Sequence, residues 1–310
     1  MNQALKPMSS RDQEGMQCLQ SGEMACLLAD GRLHLQHGPI DLLISVDADD
    51  AAKENAFDQA KERFVGLLQS LANELPLLRC QFSTLDQTAV KGLVGQRMVH
   101  AVAKFSSRFV TPMAAVAGAV ADEILATMIQ AKQGLRRVSI NNGGDIALYL
   151  APGESYAIGT CSNPDNGQLA GSFTLTSVDA VGGVATSGWR GRSHSLGIAD
   201  AVTVLATSAA QADVAATLIA NEVNLSLPEK IGRTLAQELT PDTDLTDIYV
   251  TTSVLELSPD EVAEALQNGV VIAQKMIAQG LIFGALLSLK KSIRVVGEDY
   301  RNLRLDTTGP

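Results

Sequence analysis

Arg137–Thr160 reads RVSINNGGDIALYLAPGESYAIGT, and the fold turns on how this stretch is parsed. Three short strand-like runs, Arg137–Ile140, Ile146–Leu150 and Tyr156–Thr160, are separated by turns built from Asn, Gly and Pro. Ser172–Ser177, Val181–Thr186 and Ala201–Ala206 continue the pattern, which makes a main sheet with largely antiparallel connections. Upstream, Asp30-Gly31 between short apolar stretches, followed by the strand Pro39–Val46 (PIDLLISV), adds a small antiparallel sheet. Downstream, strands are expected at Asp247–Ser253, near Leu281–Leu289 and at Ser292–Val296.

Helices interrupt these strands unevenly. From Asp50 to Leu75 the residues Phe57, Ala60, Phe64, Leu67, Leu68, Leu71 and Leu75 recur at three- and four-residue spacing, which predicts one amphipathic helix. A shorter helix is expected over Val90–Ala103. Thr111-Pro112 supplies an N-cap and an N1 proline for an Ala-rich helix reaching Lys132. Its small residues, Ala114 to Ala121 among them, permit close approach of a neighbouring backbone. A helix over Ala209–Asn221 follows. Ser258-Pro259-Asp260-Glu261 combines an N-cap, an N1 proline and a capping-box Glu, so a last helix should run from Pro259 to about Gln279. This order lacks the regular βαβ alternation of a dinucleotide-binding sheet, and the fold class is α+β.

The 310 residues allow one large domain or two. No Ser/Gly-rich linker divides the chain, which favours a single domain over residues 21–300 with a polar leader (1–20) and a C-terminal tail (301–310). The apolar fraction of 46% supports a sizeable core, and 4% aromatics excludes an extensive stacking surface for single-stranded nucleic acid. A net charge of −10 repels polyanions, so neither nucleic acid nor anionic membrane is an expected partner. The longest apolar run, Gly280–Leu289, has about half the residues needed to span a bilayer. Cys18, Cys26, Cys80 and Cys161 form no CxxC, which indicates neither a zinc knuckle nor a redox dithiol and fits a reducing cytoplasm.

Four groups of residues can carry chemistry. Asn141-Asn142-Gly143-Gly144-Asp145 lies between two strands; paired glycines suit an ordinary hairpin, and equally let a phosphate or a flat ring approach the main chain. Gly182–His194 (GGVATSGWRGRSH) gathers Thr186, Ser187, Gly188, Trp189, Arg190, Arg192 and His194 within a few residues. The two guanidinium groups suit an anionic ligand, and a solvated basic turn is the plainer alternative. Asp213 and Thr217 share one helical face, where a carboxylate and a hydroxyl can ligate a hard cation such as Mg²⁺. Asp213 would equally complement the helix dipole while Thr217 packs. Asp122 and Glu123 are adjacent and point about 100° apart, so one is expected to enter a site and the other to meet water.

NNGGDIAL (Asn141–Leu148), GGVATSG (Gly182–Gly188) and AVTVLATSAAQADVAATLIAN (Ala201–Asn221), in this order, resemble the ApbE-like superfamily, whose best-known members are FAD:protein FMN transferases. TPMAAVAGAVADEIL (Thr111–Leu125) and GRSHSLGIADAVTVLA (Gly191–Ala206) are similar to a branch of it found in anaerobic prokaryotes. The resemblance spans roughly residues 38–297. It implies Mg²⁺ ligands at Asp213 and Thr217, and a flavin nucleotide against Asn142, Gly143, Gly144, Thr186, Ser187 and Gly188, with Arg190 and Arg192 toward its phosphates. It also implies FAD as substrate and a flavinylated acceptor protein as partner, with His194 or Asp145 assisting proton transfer.

Two family features are missing. The His-Ile-Ile-Asp-Pro type segment expected after TSG is absent from Trp189–Asp200, and Val116-Ala117-Gly118-Ala119 stands where a Lys-Gly pair is expected. The branch is linked, by resemblance, to sulfide assimilation and homocysteine formation, which implies as an alternative an accessory protein that keeps the cleft without the transfer. A homo-oligomeric scaffold with a vestigial pocket is the plainest reading.

Overall fold

The computed structural model describes residues 16–20, 22–130, 134–163, 168–297 and 304–305. Its frame is a ten-stranded antiparallel sheet. The first six strands are β1 (Met16–Cys18), β2 (Met24–Leu27), β3 (Leu33–His37), β4 (Ile40–Ala48), β5 (Leu135–Asn142) and β6 (Asp145–Leu150). Beyond β6 the sheet continues with β9 (Gly183–Ser187), β10 (Ala201–Ala206), β13 (Gly284–Leu289) and β14 (Ser292–Val296). Between β6 and β9 the chain makes the β7 (Ser155–Asn163) and β8 (Gln168–Thr176) hairpin, which β15 (Arg304–Leu305) joins at its edge. A separate pair, β11 (Ile231–Leu235) and β12 (Tyr249–Val254), stands outside the main sheet. The α+β class read from the sequence is the one observed.

The helices are α1 (Asp50–Phe64), α2 (Leu67–Leu78), α3 (Leu93–Ala103), α4 (Val116–Met128), α5 (Ala209–Glu222), the single turn α6 (Ala236–Leu239) and α7 (Pro259–Ala278). The main core lies between the sheet and these helices: Val202, Val204 and Ala206 of β10 join it with Ala212, Ala216 and Ile219 of α5. Leu205 points to the other face, where it meets Leu148, Phe173 and Leu175 under the β7–β8 hairpin. Covered on both faces, β10 is buried at every residue, which is why its sequence AVTVLA lacks the polar alternation of a half-exposed strand. Each fully buried branched aliphatic side chain contributes roughly 1.5–3 kcal/mol relative to exposure.

The expected helix over Asp50–Leu75 is two helices. Val65 leaves the helical region (ψ 127°) and Gly66 takes φ +72°, while the Gly66 N–H donates to Glu23 Oε1 at 3.0 Å. The apolar spacing runs through the break, so periodicity alone conceals it. The expected helix from Thr111 begins as a 3₁₀ turn, Pro112–Ala115, and becomes α-helical only at Val116. Thr111 does not cap it; its hydroxyl bonds to Asp244 instead. The Ser258 capping box and N1 Pro259 of α7 form as read. Neither β11 nor α6 is foreseen, because IGRTL is short and half polar.

Met16–Cys18, within the expected leader, pairs with Met24–Cys26. Residues 1–15, most of the tail and the end expected for the Ala-rich helix at residues 131–132 lie outside the described residues. Among the described residues no helix is long and apolar enough to cross a membrane.

Candidate functional site

The Asn-Asn-Gly-Gly-Asp stretch is a hairpin turn between β5 and β6, and it is tied to α4. Asn142 pairs with Asp145, and Gly143 and Gly144 adopt φ of +67° and +115°, conformations that a side chain would strain. A Cβ at Gly143 would lie 2.0 Å from Arg192 Nη2, so the missing side chain lets the guanidinium rest on the turn. Asn142 is buried and ties the turn to the neighbouring helix: its Nδ2 donates to the Ala117 carbonyl at 3.1 Å.

β6 places Asp145 beside the end of β9, where Asp145 Oδ1 accepts the Thr186 N–H at 3.3 Å. The Thr186 hydroxyl itself turns to Thr203 Oγ1 at 2.9 Å. From α5, Asp213 Oδ2 accepts the Gly118 N–H at 3.1 Å, and Thr217 Oγ1 donates to Ser187 Oγ at 3.4 Å. Residues far apart in sequence, Ala117–Gly118, Asn142–Asp145, Thr186–Ser187 and Asp213–Thr217, therefore meet between α4, α5 and the sheet. The small residues of α4 allow this: a Cβ on Gly118 would sit 2.3 Å from the Ala209 carbonyl oxygen.

The two carboxylates disturb each other. Burial pushes the Asp145 carboxyl up to about 7 from 3.8, against the pull of the Thr186 N–H and the Arg192 charge. Burial raises Asp213 well above the carboxylate range, and the charge of Asp145 raises it further, opposed by the Gly118 and Ala117 N–H groups. Among the described residues neither carboxylate has an ion-pair partner within 4 Å. Two carboxylates beside the Thr217 and Ser187 hydroxyls make an oxygen-only donor set, the chemistry that suits a hard divalent cation. No trio of His, Cys, Asp or Glu close enough to hold a metal occurs among the described residues, so main-chain, hydroxyl or ligand oxygens would have to complete such a shell.

The other residues singled out in the sequence divide. Arg192 lies against the Gly143 turn, and its charge acts on Asp145. Arg190 pairs with buried Asp200 at 2.8 Å and stacks on Trp189, whose Nε1 donates to the same carboxylate at 3.2 Å. Asp200 Oδ2 accepts the Lys290 N–H at 2.6 Å, so this trio anchors the loop to β13–β14. His194 bonds through Nε2 to Thr240 Oγ1 at 3.0 Å, beyond α6, and makes no described contact with Asp145 or Asp213. Gly188 and Gly183 serve packing, since a Cβ would meet the Asp200 carbonyl at 2.5 Å and the Ala209 nitrogen at 2.1 Å.

Asp122 and Glu123 also depart from expectation. Asp122 accepts the Ala209 and Ala210 N–H groups at the start of α5, and buried Glu123 is held by Arg63 at 2.8 Å and Arg97 at 2.6 Å. Both carboxylates are engaged by protein donors. Sequence reading missed the roles of Ala117 and Gly118, which act through main-chain atoms and so carry no side-chain signal.

A family model described as "AbpE bacteria" matches residues 25–295. The chain belongs to the ApbE-like superfamily. This ApbE-like chain is 43% identical over 115 residues to a UPF0280 protein of Methanosphaerula palustris, covering 37% of the chain and 47% of that protein. To a UPF0280 protein of Methanosarcina acetivorans it is 29% identical over 184 residues, 59% of the chain and 70% of that protein. The alignments span about half the length of the first curated relatives. Among solved structures, the ApbE protein of Thermotoga maritima superposes with a TM-score of 0.45 at 13% identity, covering 90% of this chain and 97% of that one. The flavinyl transferase ApbE of Pseudomonas stutzeri gives 0.44 at 10% identity, with 91% and 96% covered.

Proposed function

We propose that the cleft binds a flavin nucleotide, FAD in the first instance, together with Mg²⁺, and that the chain acts as an FAD:protein FMN transferase. The observation that carries this reading is the meeting of Asp145 and Asp213 between α4, α5 and the sheet, where burial disfavours both charges and a cation bound at Asp213 would offset them. Asp213 and Thr217 would hold the Mg²⁺, with Ser187 beside them; when bound, it would offset charge on the phosphates of the ligand. The turn at Gly143–Gly144 offers main-chain approach for the flavin nucleotide, and Arg192 stands over it to meet a phosphate.

In the transfer, the hydroxyl oxygen of an acceptor Ser or Thr attacks the phosphorus of the FMN moiety. The P–O bond to the AMP moiety breaks and AMP leaves with that oxygen. Asp145 would take the hydroxyl proton, its carboxyl being raised by burial to about 7. His194, bonded to Thr240, is assigned no step.

A second reading follows from the loop Trp189–Asp200, which lacks the family's histidine segment and whose Arg190 and His194 are engaged elsewhere. On that reading the chain keeps the ligand cleft without the transfer, as an accessory protein of sulfide assimilation and homocysteine formation. Incubation of the pure protein with FAD, Mg²⁺ and a Ser/Thr acceptor peptide separates the two. Released AMP and FMN-bearing peptide support transfer; bound flavin without AMP supports the accessory reading; neither removes flavin from the account.

A further inference from the structure

The β11–β12 pair carries a second polar centre, away from Asp145 and Asp213. Its register slips at Gly232 and Arg233: Gly232 faces Ser253, Arg233 faces Thr251, and Thr252 is left as the extra residue of a bulge. Bulges re-aim the side chains beside them. Arg233 lines a cavity of about 1250 Å³ bounded by the end of α5, the segment after it, and α7. It is half-buried, and its hydrogen bonds go to neutral acceptors: Nη1 to the Leu196 carbonyl at 2.5 Å and Nη2 to Asn224 Oδ1 at 2.6 Å.

Among the described residues no carboxylate pairs with this guanidinium. Two acids of the same cavity wall are already matched, Glu261 by Lys230 at 2.6 Å and Glu222 by Arg108. Burial accordingly lowers the proton affinity of Arg233, with no opposing charge to restore it. A half-buried cation without a counter-ion is a costly arrangement unless something else supplies the negative charge. Thr251, across from Arg233 in the register, is 7% exposed and is not part of the cavity lining; among the described residues its hydroxyl has no hydrogen-bond partner.

The remaining wall sets the rest of the ligand. Tyr249, 59% exposed, and Val271 lie at the cavity, with Leu225 and Ile272 further along it. Glu264, which has no ion-pair partner among the described residues, also lines it, so a multiply charged anion would meet repulsion. A planar carboxylate matches the fork of a guanidinium, and a flat apolar body matches Tyr249 and Val271.

We infer that the cavity lined by Arg233 and Tyr249 is a binding site for a singly charged organic carboxylate with an aromatic or apolar body. Arg233 receives the carboxylate, and Tyr249 covers the body.

The test uses the full chain, with benzoate as probe and benzamide as its uncharged counterpart, followed by calorimetry and by NMR of the arginine Nε–H signals. Benzoate should bind at least tenfold more tightly than benzamide and shift the Arg233 Nε–H signal. Arg233→Gln should lose at least tenfold in benzoate affinity, and Tyr249→Ala should weaken it severalfold. Should Arg233→Gln fail to fold, the wild-type NMR shift and the Tyr249→Ala titration decide. Equal binding of benzoate and benzamide, no saturable benzoate binding, or benzoate binding that leaves the Arg233 signal unmoved overturns the proposal.

Discussion

Replacing Asp145 by asparagine should stabilise the metal-free protein above neutral pH, although the substitution damages the proposed site. Unfolded, the carboxyl titrates near 3.8; folded, burial raises it to about 7. Between those values the native state binds a proton that the unfolded chain has released, so unfolding free energy falls as pH rises through the window. Above about 7 the full cost is present, and below about 4 none of it is. The gap sets an upper bound of about 4 kcal/mol. Partial access to solvent reduces this to about 2 kcal/mol, or about 3 °C for a chain of this length. Thermal melts of wild type and Asp145→Asn, each without metal and with excess Mg²⁺, should be recorded from pH 4 to pH 9. The variant's advantage should be near zero at pH 4, grow to pH 7 and then level, and Mg²⁺ should raise wild type more than the variant. A lower melting temperature for Asp145→Asn at pH 8, or an advantage that ignores pH, would refute the reasoning.

Other substitutions probe the supports of the cleft. Gly118→Ala places a methyl 2.3 Å from the Ala209 carbonyl, and overpacking at the α4–α5 crossing should cost about 1–3 kcal/mol, read as a fall in denaturation midpoint at unchanged m-value. Arg192→Gln removes a charge that holds the Asp145 carboxyl down, so the Asp145 titration followed by carboxyl ¹³C NMR should move to higher pH; a downward move would place Arg192 elsewhere. Burial raises Glu123, but Arg97 and Arg63 outweigh it and hold the carboxyl below its ordinary value. Its stabilisation is therefore present at neutral pH and lost in acid, and Glu123→Gln should cost about 2 kcal/mol at pH 7 while converging with wild type at low pH.

The sequence disclosed elements wherever local pattern and local chemistry agreed. β10, the Ser258 capping box and the Gly143–Gly144 hairpin all have signals within a few residues. The break at Gly66 was hidden because the buried stripe of α1 continues into α2, and only the positive φ and the Glu23 contact reveal it. At the candidate site, residue types were legible and their engagements were not. Arg190 and Arg192 look equivalent in GWRGRSH, but buried Asp200 claims the first and the glycine turn receives the second. The mutual effect of Asp145 and Asp213 depends on strands and helices brought together from distant segments, which no local spacing encodes. Neighbouring backbones pass close to Gly182, Gly183 and Gly188, which local sequence does not reveal.

The most direct test of the central claim is calorimetric titration of FAD into the pure protein, with and without Mg²⁺, for wild type and Asp213→Ala. Saturable binding that requires Mg²⁺ in wild type and disappears in a folded Asp213→Ala protein is the expected result. FAD binding of equal strength with and without Mg²⁺, or undiminished in Asp213→Ala, would contradict the assignment of this cleft.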